Sequence, residues 1–349
     1  MIRFFIYDII CLVGGLIYAY CHGGIAVAVS VLAIVMLEIS ISFDNAVVNA
    51  VKLSKMSKVW RRRFLTWGIL IAVFGMRFLF PVLLVAIFAE ISMGAVIDLA
   101  LHNPDEYSAH LSACHYAIAS FGSMFLLMLF LGFMFEKGKA HWLKMPELAL
   151  EKIGKIPFSK EICGFLLLGL LQIFLQPEQR LVSILAGTVG ILLHFAIEAV
   201  AAFFDKRANM AKNAAYAGLV SFLYLELIDA SFSLDGVLGA FALSKDVIII
   251  TIGLAVGAMF VRSLTVVLVE HKTLDKFPYL QNGAYWAVGA LSFIMLYSAF
   301  AEVSDDLAAI ISVLFIVSSL ISSFMQNRKI SINLRNLKIG RFRRFRIFK

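Results

Sequence analysis

MLEISISFDNAVVN, at residues 36–49, is the stretch that decides how this chain folds. The apolar run IAVAVSVLAIVM (25–36) leads straight into it, so Glu38 and Asp44 stand inside a segment long enough to cross a membrane. Ionisable side chains at that depth cost roughly 2.5–3.5 kcal/mol each on insertion, and they usually mark a functional site. A second stretch, YLELIDASFSLDGVLGAF (224–241), has the same character. The two stretches together predict a polar site inside a membrane protein.

The composition supports the membrane class. Of the 349 residues, 61% are hydrophobic and only 15% are charged, and the mean hydropathy is +0.91. A soluble globular protein does not carry this much apolar side-chain surface. The four cysteines are scattered without paired spacing, which disfavours a disulfide or zinc framework. We therefore expect a polytopic all-α transmembrane bundle.

Apolar runs give the number of spans. A helix needs about 20 apolar residues to cross a bilayer. Such runs occur at 2–20, 24–51, 64–91, 116–135, 181–204, 216–243, 247–270, 284–301 and 305–325, with a shorter one at 161–175. We count about ten spans. This predicts a single transmembrane transporter domain at 1–325 and a basic cytoplasmic tail at 326–349.

Basic residues predict the orientation. With ten spans and the N-terminus inside, 27 of the 31 lysines and arginines fall on one side. The positive-inside rule then places both termini and the loop 136–160 in the cytoplasm and the loop 92–115 outside. We expect a multi-pass protein of the inner (cytoplasmic) membrane. The basic tail, ending RFRRFRIFK, suits an anionic lipid surface better than a nucleic acid.

An internal repeat connects the two acidic stretches. Glu38-xxx-Ser42-x-Asp44 aligns without gaps on Asp229-xxx-Ser233-x-Asp235, and GILIAVFGMR (68–77) aligns on GLAVGAMFVR (253–262). Spans 2–4 therefore correspond to spans 7–9, with repeat one at about 24–136 and repeat two at about 216–302. Because the offset of five spans is odd, the two copies run in opposite directions. This is the inverted-repeat plan of secondary transporters, whose substrate site lies near the midplane.

The candidate site is rich in oxygen and in negative charge. Its members are the carboxylates Glu38, Asp44, Glu226, Asp229 and Asp235, the arginines Arg77 and Arg262, the amides Asn45 and Asn49, and the hydroxyls Ser42 and Ser233. Carboxylate, amide and hydroxyl oxygens suit hard divalent ions such as Mg²⁺, Ca²⁺ or Mn²⁺. The alternative is that Arg77 neutralises Asp44 and Arg262 neutralises Asp235. This alternative leaves three acids unpaired.

Helical spacing separates the two aspartates from the rest of the site. Glu38, Ser42, Asn45 and Asn49 form one stripe of a helix, whereas Asp44 and Asp235 fall elsewhere on the wheel. Either these aspartates face a different neighbour or the helix unwinds beside them. His194 and Glu198, four residues apart, form a second candidate that could relay protons or extend the site.

The two acidic stretches resemble the signature stretches of the TerC family, the tellurium-resistance integral membrane proteins. The likeness lies in LEISISFDN (37–45), LELIDASFSLD (225–235) and RRFLTWGILIAVFGMR (62–77), and in length the chain resembles a larger branch related to the lysine-exporter superfamily. Members are implicated in manganese efflux and in supplying metal to exported proteins. The resemblance implies metal roles for Glu38, Asp44, Asn45, Glu226, Asp229 and Asp235. Gly236 departs from the family, because many members have serine there.

We therefore expect a transporter that exports a divalent cation, with Mn²⁺ as the ion the resemblance implies, by alternating access around midplane carboxylates. The alternatives are an exporter of a cationic amino acid or a tellurium oxyanion, or a membrane partner protein that transports nothing. No Gly-x-Ser-x-Gly or His-Glu-x-x-His pattern occurs, so we expect neither an enzyme nor a tightly bound cofactor. The oligomeric state stays open.

Overall fold

A computed structural model describes residues 2–211, 218–219, 221–223, 225–226, 229, 240, 243–244, 246–301, 303, 307 and 310–327. The helices are α1 (Ile2–Ile41), α2 (Phe43–Ser54), α3 (Lys58–Leu70), a π-helical segment (Ile71–Leu79), α4 (Phe80–Phe88), α5 (Met93–His102), α6 (Pro104–Ala113), α7 (His115–Met134), α8 (Lys144–Ile153), α9 (Ser159–Phe174), α10 (Pro177–Ala211), α11 (Val247–Glu270), α12 (Thr273–Lys276) and α13 (Leu280–Ser298), followed by α14 (Ile310–Asn327). The described residues contain no strand, so the all-α prediction is confirmed.

Five of these helices are long and apolar enough to cross a membrane. They are Phe5–Ile41, His115–Met134, Pro177–Ala199, Val247–Glu270 and Ile310–Asn327. Their presence confirms a membrane protein with several spans. The count of about ten spans and the inverted repeat stay predictions, as do the domain bounds.

The first two predicted spans are separated within α1. Gly24 has φ 75° and Gly23 also leaves helical geometry, so the helix breaks between the runs 2–20 and 24–51. A positive φ is a conformation that glycine adopts without steric cost. A second interruption at Ser42 ends α1 and allows α2 to begin at Phe43. The predicted span 24–51 is therefore two helices, and Asp44 lies in the first turn of the second one.

The predicted span 64–91 is also divided. It consists of the end of α3, the π-helical segment and α4. A π-helix closes its hydrogen bonds over five residues, is rare, and often occurs at functional sites. Here it carries Arg77. The predicted external loop 92–115 is helical, because it contains α5 and α6.

Helix α7 lies at the centre of the bundle between α10 and α13. Seventeen of its twenty residues are buried, whereas only 22% of the apolar window in α14 is buried. An apolar helix with most of its surface uncovered is suited to lipid. Helix α11 packs along α1, and α2 lies between α11 and α13. The candidate site is therefore enclosed by protein, with apolar helices outside it.

Candidate functional site

The structure gathers most of the predicted site residues into one buried cluster. Its described members are Glu38, Ser42, Asp44, Asn45, Asn49, Arg77, Glu226, Asp229 and Arg262, and none is more than 5% exposed. They come from α1, the junction between α1 and α2, α2, the π-helical segment, α11 and the described residues between 225 and 229. Residues of the two acidic stretches therefore lie together in the structure, while their role as a site stays a prediction. Asp235 and Ser233 lie outside the described residues.

Arg77 reaches from the π-helical segment to α1. Its Nη2 donates to Glu38 Oε1, and its Nη1 donates to the Ala72 carbonyl at 3.0 Å. Asp229 Oδ2 lies 4.0 Å from the same Nη1. Ser42 Oγ donates to Glu38 Oε1 at 2.8 Å, so that carboxylate has two donors. The proposed Asp44–Arg77 pair is therefore wrong, because Arg77 pairs with Glu38.

Arg262 holds two acids of the second stretch. Its two terminal nitrogens donate to the two Glu226 oxygens at 3.1 and 2.8 Å, and Nη2 also donates to Asp229 Oδ2 at 2.9 Å. The guanidinium donates to the Phe64 carbonyl at 3.0 Å and lies 4.3 Å above the Phe64 ring. A planar guanidinium suits such a bidentate contact better than an ammonium group. Glu226 and Asp229 are thereby both paired with an arginine.

Asn45 joins the two stretches directly. Its Nδ2 donates to Asp229 Oδ1 at 2.6 Å, across 184 residues of sequence. Asp229 therefore receives donors from both halves of the predicted repeat. The two ion-paired groups, one around Arg77 and one around Arg262, are consequently parts of a single network.

Three oxygens of α2 have no donor from the described residues. They are Asp44 Oδ2, Asn45 Oδ1 and Asn49 Oδ1. The other Asp44 oxygen accepts the neighbouring Asn45 amide at 2.9 Å. Buried polar atoms are nearly always hydrogen-bonded, so unpartnered ones call for an explanation such as a bound ion. The three atoms are one carboxylate oxygen and two amide oxygens, the oxygen types that hard cations prefer.

Glycines permit the close approach of the helices around the cluster. A Cβ at Gly257 of α11 would lie 2.6 Å from Glu38 Cβ, and one at Gly68 of α3 would overlap the Arg262–Glu226 pair. Any larger residue at either position would push a buried charged group aside. Helix α11 of the second half thus packs against an acid of the first half, and α3 of the first half packs against the ion pair of the second.

The described carboxylates do not by themselves form a metal centre. No group of three or more His, Cys, Asp or Glu side chains arranged to hold a metal occurs among the described residues. The physical reason lies in the arginines, which occupy Glu38, Glu226 and Asp229. The oxygens left for a ligand are those of Asp44 and the two asparagines.

The second candidate, His194 with Glu198, lies apart from this network. His194 Nε2 is 3.9 Å from Glu198 Oε1, while Glu198 forms a 3.0 Å ion pair with Lys160 of α9. The His194 ring packs edge-on against Phe125. In the described part of the chain, neither residue forms a hydrogen bond or an ion pair with the acidic cluster.

Sequence reasoning missed a fully buried acid in the loop between α7 and α9. Glu147 is 0% exposed and accepts the amide hydrogens of Trp142 and Leu143 at 3.2 and 3.1 Å. It also accepts hydrogen bonds from Asn282 and Trp286 of α13 at 2.9 and 3.0 Å. The only sequence signal was the phase of Glu147 on a short amphipathic helix.

Comparison with known proteins gives the family. Residues 43–330, most of the chain, match the family described as "Protein of unknown function (DUF475)". The chain belongs to this family. The DUF475 match includes Asp44, Asn45, Arg77 and Arg262 but begins after Glu38. The resemblance to the TerC family is not confirmed by it.

A curated relative of this DUF475 chain is the "Uncharacterized membrane protein YceF" of Bacillus subtilis (strain 168). The two are 34% identical over 106 residues, which is 30% of this chain and 40% of the relative. The chain thus spans less than half the length of the curated relative it matches. No solved structure matches the chain.

Proposed function

We propose that this membrane protein transports a cation, with Asp44, Asn45 and Asn49 supplying the ligand oxygens of the site. The observation that carries the proposal is Asp44 itself. Its carboxylate is 0% exposed, and one oxygen has no donor among the described residues. A buried carboxylate without a partner is costly unless a cation or a proton neutralises it. An ion passing through the protein supplies that partner.

The charge balance of the cluster supports a cation rather than an anion. Four described carboxylates lie with two guanidinium groups, so two negative charges are in excess when all are ionised. A tellurium oxyanion would need the opposite balance. Oxygen-only ligands favour hard ions. Mn²⁺ is the ion that the TerC resemblance implies, and it is the first ion to test.

In this proposal, the acids paired with arginine support the site and do not bind the cation. Glu38, Glu226 and Asp229 are held by Arg77 and Arg262 and form the scaffold of the site. The ligand set is thereby narrower than the six residues that the sequence suggests. Asp235 is retained in the proposal as a second carboxylate, because the repeat aligns it with Asp44.

The ion pairs also support transport by two inverted halves. Arg77 aligns with Arg262 and Glu38 aligns with Asp229 in the sequence repeat. Both aligned pairs are in contact, Arg77 with Glu38 and Arg262 with Asp229. Transporters of this plan alternate access by rocking one half against the other around a midplane site. The Asn45–Asp229 bond then lies where the two halves meet.

Transport by reconstituted protein tests the proposal. Liposomes containing the purified protein are loaded with a metal-sensitive dye, and uptake of Mn²⁺, Mg²⁺, Ca²⁺ and Na⁺ is compared. Asp44→Asn keeps the volume and removes the charge, so we expect uptake of the transported ion to fall at least tenfold. Asp235→Asn should behave alike. Asp105→Asn, a surface acid of the same type, is the matched control and should transport normally.

Two results would contradict the proposal. Undiminished uptake by the double variant Asp44→Asn, Asp235→Asn would exclude the site. Folded wild-type protein that moves none of these cations would favour the partner-protein alternative or, if lysine is taken up instead, an exporter of cationic amino acids. Measuring the metal content of cells with and without the protein provides the same comparison in vivo.

A further inference from the structure

We propose that the segment 144–158, which contains α8, lies on the membrane surface and binds anionic lipid headgroups. The proposal concerns a surface away from the cation site and does not depend on transport. Its outward face consists of the lysines Lys144, Lys152 and Lys155 and the apolar residues Met145, Leu148, Ile153, Ile156 and Phe158. We call this set the lipid-facing surface.

The side chains of helix α8 are arranged in the opposite way to those of a helix on a water-facing surface. Its acids point inward, and Met145, Leu148 and Ile153 point outward, while Leu150 packs against the core. Glu147 is buried against α13 by the hydrogen bonds from Asn282 and Trp286. Glu151, the other acid of the segment, is only 18% exposed, and its Oε2 lies 2.9 Å from His141 Nε2. These contacts fix which face of the helix is left outside.

The outward side chains are too apolar for water. Met145 is 86% exposed and Phe158 is 75% exposed, and Leu148, Ile153 and Ile156 are also uncovered. Phe158 has φ 58°, a strained conformation for a bulky residue. If the Phe158 ring stays in water, no burial of its apolar surface offsets the cost of this backbone conformation. A bilayer interface covers all five side chains at once.

The charges of the same face identify the bilayer as anionic. Lys144, Lys152 and Lys155 are exposed between the apolar side chains, while both acids of the segment are turned inward. Lysine stems lie along apolar surface and keep the ammonium group at the headgroup level. Exposed lysines beside large apolar side chains attract a segment to the headgroups of anionic lipid while its apolar groups enter the interface.

The position of the segment in the chain agrees with an interfacial location. It follows α7, which ends at Met134, and precedes α9, which begins at Ser159 directly after Phe158. Helix α7 is apolar enough to span a membrane. With only ten residues, α8 is too short to cross one itself. The segment therefore lies in the connection between the end of a candidate membrane span, α7, and the start of the apolar helix α9.

Fluorescence of the full chain in liposomes tests the proposal. In a variant with its four cysteines replaced, single cysteines at Met145 and at Phe158 are labelled with an environment-sensitive dye. A cysteine at Lys137, exposed in the same loop but ahead of α8, is the matched control. In vesicles of phosphatidylcholine with phosphatidylglycerol, we expect blue-shifted emission and quenching by spin-labelled lipid at 145 and 158. At 137, we expect quenching by aqueous iodide instead.

The lysines provide the second arm. Replacing Lys144, Lys152 or Lys155 by Gln should lower the ratio of lipid-bound to water-exposed dye roughly fivefold for each charge removed. This decrease in the ratio should occur only in vesicles that contain phosphatidylglycerol. At high salt, the wild type and the lysine variants should give the same ratio. Lys139→Gln is the control, because its Nζ donates to the Phe133 carbonyl at 2.7 Å and faces inward.

Three outcomes would overturn the proposal. The dye at 145 and 158 would remain accessible to iodide in both vesicle types if the surface faces water. Shielding in detergent, without quenching by labelled lipid, would assign the surface to a second copy of this chain. Equal quenching by labelled lipid with and without phosphatidylglycerol would show that the surface does not bind anionic headgroups.

Discussion

Replacing Arg77 by Met distinguishes the pairing seen in the structure from the pairing suggested by the sequence. Methionine keeps much of the side-chain length and removes the guanidinium. The structure assigns Glu38 as the partner, and the side chains of this pair are only 2% and 1% exposed. The sequence interpretation assigned Asp44. The two assignments differ in which second substitution restores stability.

The expected loss of stability follows from the contacts that Glu38 and Asp229 keep after Arg77 is replaced. Glu38 would keep the Ser42 hydroxyl at 2.8 Å as a donor but would lose its cationic partner. Breaking a buried ion pair from one side typically costs about 3–5 kcal/mol, because a charge is left uncompensated in low dielectric. Asp229 is less affected, since Arg262 remains 2.9 Å away. We expect a loss of about 3–4 kcal/mol, a large part of the roughly 5–15 kcal/mol that stabilises a typical protein.

Rescue by a second substitution is the decisive measurement. Glu38→Gln in the Arg77→Met background removes the unpaired charge and should recover at least about 2 kcal/mol. Asp44→Asn in the same background should recover much less, and Arg180→Met, at an exposed arginine, should change stability by less than about 0.5 kcal/mol. Unfolding in mixed detergent micelles is followed for the wild type, these four variants and the single variants Glu38→Gln and Asp44→Asn. The seven proteins together give the coupling energies.

The reasoning would be refuted by either of two results. Stability of Arg77→Met equal to that of the wild type would mean that the buried pair contributes nothing. Rescue by Asp44→Asn but not by Glu38→Gln would restore the sequence interpretation and reject the contacts of the π-helical segment.

Two further predictions concern parts of the chain outside the membrane. A membrane-impermeant maleimide applied to intact cells should label a cysteine at Asp105 and miss one at Lys144, because the distribution of basic residues predicts that 136–160 lies inside. The opposite labelling pattern would reverse the predicted topology. Burial lowers the pKa of Lys139 from 10.5 to about 8. The folded chain therefore binds fewer protons than the unfolded chain between pH 8 and 10.5, and stability gains with rising pH in that window. Lys139→Met should lose this gain, measured from the unfolding midpoint against Lys137→Met; equal pH profiles would contradict it.

The sequence alone was sufficient for the membrane class and for naming the buried charged residues that the structure brings together. Apolar length and composition predicted the class. The cost of charge in a membrane singled out the acids and arginines that the structure brings together. The boundary between the first two spans was predictable as well, since Gly23 and Gly24 divide two apolar runs.

The partners within the cluster were not predictable from spacing. Periodicity gives the angle of a side chain about its own helix axis but not which neighbouring helix it meets. Arg77 lies in π-helical geometry, for which helical angles do not hold. The Asn45–Asp229 bond joins residues 184 positions apart. The burial of Glu147 depends on α13, more than a hundred residues downstream.

The π-helical segment gives the site a mechanical property. Conversion of a π turn to α geometry alters the winding by one residue, which rotates the chain beyond it by about 100° and displaces it by about 1.5 Å. In this protein the chain beyond the segment is α4, and Arg77 lies inside the segment. One such conversion would rotate and translate α4 along its axis. The same change would turn the Arg77 side chain away from Glu38. In this geometry, movement of α4 and opening of the buried Arg77–Glu38 ion pair would be coupled.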